Sequence, residues 1–159
     1  MENVNIMSIA VFPGSFDPIT TGHVDLVRRA IPLFTEIVVA IGQNSSKSYL
    51  YSVEQRKAWL EDVFAGDDNV RIGYYEGLTA AYCQEINADY MIRGLRNASD
   101  FDYEKTISQL NNIIGKDLET VFFISRPEFS HISSTIVREI IKGGGDVTPF
   151  VPASVQIPT

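Results

Sequence analysis

Cysteine, histidine and positive charge are all scarce in this chain, which has one Cys and two His in 159 residues. Cys83 has no partner for an internal disulfide, so a reducing, cytoplasmic setting is expected. No neighbouring Cys or His suggests a metal at that thiol, which reads as a small apolar residue on a helix. Lys and Arg number 13 against 20 Asp and Glu, for a net charge of −7. That balance argues against the basic face that nucleic-acid binding requires. A phosphate-rich ligand would need these few cations gathered in one pocket. No apolar run approaches membrane-spanning length, and Met1–Asn5 is polar without a basic start, so neither a membrane nor an export signal is expected. The G-x-x-x-x-G-K-[ST], G-x-S-x-G and H-E-x-x-H patterns are missing, and Gly143-Gly144-Gly145 lacks the strand that a dinucleotide fingerprint follows.

What is present suits a single globular domain over residues 1–159, with 45% apolar residues and no repeat or long linker. Five short apolar runs read as strands: Ile6–Phe12, Glu36–Ile41, Val70–Tyr75, Tyr90–Arg93 and Thr120–Ser125. Helical patterns fall between them. Val24, Val27, Ala30-Ile31 and Phe34 share one face after Gly22-His23. Ser52 and Gln55 form a capping box before Trp59, Leu60, Val63 and Phe64. Leu78–Ile86 is a short helix. Ser99 opens a longer one with Phe101, Ile107, Leu110 and Ile114 inside and Gly115 as its stop. Ser133 or Ser134 caps the last, which carries Ile136, Val137, Ile140 and Ile141. This alternation predicts a Rossmann-like, doubly wound α/β fold with a five-stranded parallel sheet. Ligands bind beyond the carboxyl ends of such strands, so chemistry is expected just after each run.

Val11 to His23 joins the first strand to the first helix through two prolines and two glycines. A strand, a tight glycine turn and a helix N-terminus make an anion site, because unpaired N–H groups point outward there. His23 stands at that helix start, either as a cap or as a donor to phosphate. After the second strand, Lys47 lies in a polar loop, either solvated or bridging the phosphates of two substrates. After the fourth, Arg93 and Arg96 flank Gly94 as a compact anion clamp. Glu104, a few residues on, either accepts from a ribose or adenine group or lies on a solvated helix face. After the fifth, Ser133-Ser134-Thr135 offers hydroxyls and N–H groups, with Arg138 one turn later.

Thr20-Thr21-Gly22-His23 resembles the [TH]-x-G-H signature of the nucleotidyltransferase superfamily, and Ile132–Arg138 its I-S-S-T-x-x-R motif. Pro13–His23, Ile92–Arg96, Asp100–Glu104 and Ile132–Thr135 are together similar to the phosphopantetheine adenylyltransferases, over about Ile9 to Val155. The resemblance implies an enzyme that joins ATP and 4′-phosphopantetheine into dephospho-coenzyme A and pyrophosphate. It implies Mg²⁺, a homohexamer, and direct in-line attack without a covalent intermediate. By motif, His23 and Lys47 are the catalytic pair, and Ser15, Lys47, Thr79 and Arg93 bind phosphopantetheine. ATP falls to Ser15, Phe16, His23, Gly94, Leu95, Arg96 and Glu104, and to Phe129, Ser130, His131, Ile132, Ser133, Ser134 and Thr135. No protein group is implied as a metal ligand. Thr79 departs from the larger apolar residue of many members, and the chain stops where relatives usually extend a last helix. A sister enzyme with another acceptor, such as a nicotinate-nucleotide adenylyltransferase or a glycerol-phosphate cytidylyltransferase, is the nearest alternative. A non-catalytic sensor of nucleotide or coenzyme A is the next.

Overall fold

Apolar side chains alternate on the central strands, so each strand feeds two cores at once. Ala10 and Phe12, with Ile37, Val39 and Ile41, pack into one buried cluster; Val11, Val38 and Ala40 pack into another. A sheet buried on both faces in this way needs helices on both sides. A computed structural model describes residues 7–158 and supplies them. The expected strand start at Ile6, the polar segment Met1–Asn5 and Thr159 lie outside the described residues.

The strands are β1 (Ile9–Gly14), β2 (Glu36–Gln43), β3 (Val70–Glu76), β4 (Tyr90–Leu95) and β5 (Glu119–Ile124). They form one all-parallel sheet in the order β3-β2-β1-β4-β5. The helices are α1 (Thr21–Ala30), α2 (Val53–Val63), α3 (Thr79–Glu85), α4 (Ala98–Ile114) and α5 (Ser134–Lys142). Side chains of α1, α2 and α5 enter the first cluster and those of α3 the second. Gln84 Nε2 on α3 donates to the Ile114 carbonyl at the end of α4 (3.2 Å). The doubly wound α/β fold expected from the alternation is the one observed.

Local departures have local causes. The first helix stops at Ala30, where Pro32 turns the chain through a short 3-10 segment, so Phe34 falls outside it. Asn97, not Ser99, caps α4: its Oδ1 accepts from the Asp100 N–H at 2.9 Å. Ser52 accepts from the Gln55 N–H, which is one half of the capping box. The α4 residues placed inside from periodicity are a correction. Phe101, Leu110 and Ile114 are 45%, 50% and 47% exposed, because the described residues cover that face of α4 only in part, as where Phe101 meets the Phe122 ring edge-on.

Sheet order reverses between β1 and β4, the switch point where open α/β sheets hold ligands. The β1–β4 ladder is short, pairing Ala10 with Tyr90 and Val11 with Met91, whereas β1 pairs with β2 along its whole length. Pro13 has no N–H to continue a ladder. Instead the Arg93 guanidinium reaches across, Nη1 donating to the Pro13 carbonyl at 2.8 Å. The two central strands therefore part at their carboxyl ends, and the gap is the mouth of the site.

Candidate active site

Two cavities flank that gap. The first, about 440 Å³, lies toward β2 and β3 and is walled by Ser15, Lys47, Thr79, Arg93 and Glu104 among others. The second, about 290 Å³, lies toward α1 and α5; His23, Arg96, Phe129, Ser133 and Ser134 face it. Phe16, Gly94 and Ile132 also line the second cavity. Pro13, Gly14, Ser15, Arg93 and Glu104 belong to both, so the chambers adjoin along a shared wall. Of the residues expected at the site, Leu95, Ser130, His131 and Thr135 line neither. Ser130 Oγ donates to the Pro127 carbonyl, and Thr135 Oγ1 accepts from Arg138 Nη2.

His23 is fixed by its own helix. Thr20 caps α1 by accepting the His23 N–H, and the imidazole Nδ1 in turn accepts from the Thr20 N–H at 3.1 Å. This reciprocal capping box leaves Nδ1 without a proton, so the ring's hydrogen sits on Nε2 as a donor. Phe12 and Phe16 pack edge-on to the ring, with centroids 6.0 and 5.2 Å away. Phe16 fits because Gly14 has no Cβ; a methyl there would come within 3.0 Å of the Phe16 ring. Burial, then Arg93 and Arg96, push the imidazole pKa from 6.5 down to about 4. His23 is thus a neutral donor at ordinary pH.

Both arginines of the expected clamp are already braced by carboxylates. Arg93 forms a bidentate pair with Glu104, Nε to Oε2 at 3.0 Å and Nη2 to Oε1 at 2.7 Å. With Nη1 on Pro13, three of its five N–H groups are used, and the rest remain for a ligand. Glu104 is buried, so it belongs neither to a solvated face nor to an unengaged acceptor. Arg96 is held by Asp100, whose pKa falls because Arg96 hydrogen-bonds it. At α5, Ser133 caps the helix by accepting from the Ile136 N–H, and Ser134 Oγ donates to the Pro18 carbonyl. Arg138 Nη1 donates to the Asp17 carbonyl, so α5 is tied to the β1–α1 turn. What α5 offers a phosphate is its first-turn N–H groups.

Several residues at this site escaped the sequence reading. Asp17 is buried and its carboxylate accepts from the Leu50 and Tyr51 N–H groups at 2.7 and 2.9 Å, fastening the Lys47 loop. Tyr75 lines the first cavity and shares a 2.7 Å hydrogen bond with Thr79, which explains how a polar residue sits there. Gln43, Tyr49 and Asn111 also line that cavity. Arg56 lies behind it, 1% exposed. Its signal was legible, since it shares the apolar stripe of Trp59, Leu60 and Val63, where a charge demands a reason.

The two cavities adjoin at the glycine turn after β1, and the neutral His23 faces the second of them. Residues 11–140 match the cytidylyltransferase-like family model, and the chain belongs to that family. Curated relatives narrow it further. The chain is 46% identical to a phosphopantetheine adenylyltransferase of Limosilactobacillus reuteri, over 94% of this chain and 87% of the relative. It is 46% identical to that of Flavobacterium psychrophilum over 95% and 99%, and 48% to that of Cytophaga hutchinsonii over 91% and 96%. Within its class the chain is a member of the phosphopantetheine adenylyltransferase family.

Proposed function

We propose that this enzyme transfers the adenylyl group of ATP to 4′-phosphopantetheine, giving dephospho-coenzyme A and pyrophosphate. The supporting observation is the shared wall: Ser15 and Arg93 face both cavities, where two phosphates would meet head to head. ATP takes the second cavity, with its α-phosphate at His23 and its leaving phosphates toward the start of α5. Phosphopantetheine takes the first, its phosphate toward Ser15, Lys47 and Arg93 and its arm along Thr79. A phosphate oxygen of the acceptor bonds to the α-phosphorus as the bond to the β-phosphate oxygen breaks. Pyrophosphate leaves with that electron pair, and no enzyme group is modified. Lys47 and the His23 Nε2–H donate to the charge that builds on the transferred group.

Among the described residues no group of three His, Cys, Asp or Glu is placed to hold a metal. Glu104 and Asp100 are occupied by arginines, and Asp17 by backbone N–H groups. The residues therefore do not fit a resident ion, and Mg²⁺ would enter as the counter-ion of ATP. We assign the enzyme to the cytoplasm, consistent with its one buried free cysteine. No helix among the described residues is long and apolar enough to cross a membrane. We also propose a homohexamer, which would cover the exposed Phe101, Leu110, Ile113 and Ile114 of α4.

A pyrophosphate-release assay tests the reaction, pairing ATP or CTP with phosphopantetheine, nicotinate mononucleotide or glycerol phosphate. Turnover with ATP and phosphopantetheine alone is expected. Preference for another pair would make this a sister enzyme, and binding of coenzyme A without any turnover would make it a sensor.

A further inference from the structure

Arg56 lines neither cavity, yet it joins the segments that do. It extends from α2 with its guanidinium fully buried, Nη1 donating to the Ser15 carbonyl at 2.8 Å and Nη2 to Gln43 Oε1 at 3.0 Å. Nε donates to the Tyr51 carbonyl at 3.1 Å, and Cζ lies 4.2 Å from the centre of the Tyr49 ring. Tyr49 carries the connection onward: its hydroxyl accepts from the Asn44 N–H at 2.9 Å. The Asn44 carbonyl then accepts from the Lys47 N–H at 3.0 Å, closing the turn that presents Lys47. One rigid fork thus touches the β1–α1 turn on one side and the support of the Lys47 turn on the other. Burying a charge is costly, and a well-packed apolar residue serves stability as well or better. What an apolar residue cannot do is set three acceptors from separate segments at fixed angles, and a lysine's point charge cannot either.

We propose that Arg56 is a positioning residue that sets the separation between Ser15 and Lys47. The idea rests on the adenylyl-transfer reading only for its effect on rate. Arg56→Lys keeps the charge and loses the fork; Tyr49→Phe removes only the hydroxyl that supports Asn44 and serves if the first variant fails to fold. Misplacing a catalytic group by about 1 Å costs up to ~10²-fold, so kcat of Arg56→Lys is expected to fall about 10- to 100-fold. The KM for ATP, whose cavity meets the Arg56 network only at Ser15, is expected to change less than kcat, by under about threefold, and Tyr49→Phe to shift kcat in the same direction by less.

A purely structural role would lower stability and combine additively with Lys47→Ala. The proposal expects the reverse, with Arg56→Lys adding less than about threefold in the Lys47→Ala background. Additive losses, or a folded Arg56→Lys with kcat within about twofold of wild type, overturn it. Amide hydrogen exchange supplies a readout independent of turnover. Faster exchange confined to residues 15–17 and 44–51 in Arg56→Lys supports the proposal, and unchanged exchange there overturns it. Wild-type protein that releases no pyrophosphate with any acceptor would defeat the adenylyl-transfer reading instead, leaving exchange to decide the role of Arg56.

Discussion

His23 combines three properties in one side chain: a fixed tautomer, two aromatic neighbours and a neutral ring. Removing a single donor to a transition state costs about 10²–10³ in turnover, which is the loss expected for His23→Ala. Circular dichroism should show the fold retained, since the Thr20 hydroxyl still caps α1 through the residue 23 N–H. The depressed pKa gives a second expectation. The unfolded imidazole takes a proton near 6.5 and the folded one only near about 4, so between these values the unfolded state binds more protons. Wild-type stability is therefore expected to fall as pH drops from 6.5 toward 4, and that part of the slope should vanish in His23→Gln. Urea unfolding of both proteins at several pH values measures it. Above pH 5 the histidine should contribute no acid limb to the rate profile. A limb centred near 6.5 that disappears in His23→Gln would contradict the buried, neutral ring.

At the scale of elements, α4 best separates what periodicity reveals from what it conceals. The spacing of Phe101, Ile107, Leu110 and Ile114 marked a helix, and a helix is there, stopped at Gly115. Periodicity says which residues share a face but not what the face meets, and most of this one meets solvent in the single chain. The strand ends were legible for the converse reason: Gly14, Lys47 and Gly94 stand at breaks in apolar runs, and topology alone brings breaks to one edge. Partners were not legible. Nothing local joins Arg93 to Glu104, or Asp17 to Leu50, because those pairs exist only after the chain has folded. The true cap of α4 is also a short-range choice between neighbours, settled in favour of Asn97. Replacing it with alanine is expected to cost about 1 kcal/mol, read from the urea midpoint, whereas Ser99→Ala should cost little.

For the molecule as a whole, the uncovered face of α4 makes assembly the property most open to test. Ile113 is 77% exposed and Leu110 50%, both on that helix. A pair of glutamates, Leu110→Glu with Ile113→Glu, is expected to shift sedimentation from the proposed hexamer to smaller species, because covering that face would then bury unpaired charge. Sedimentation of the wild type as a monomer would remove the proposed hexamer outright.

Arg93 and Glu104 face both chambers as one ion pair, so a ligand that moves the pair from one chamber alters the lining of the other. Thermodynamic reciprocity then applies: if a pantetheine phosphate shifts the ATP dissociation constant by some factor, ATP must shift the pantetheine phosphate constant by the same factor. Calorimetric titration of each ligand, alone and against a non-reactive analogue of its partner, would read that number twice. Glu104→Gln, which weakens the strut, is expected to change it.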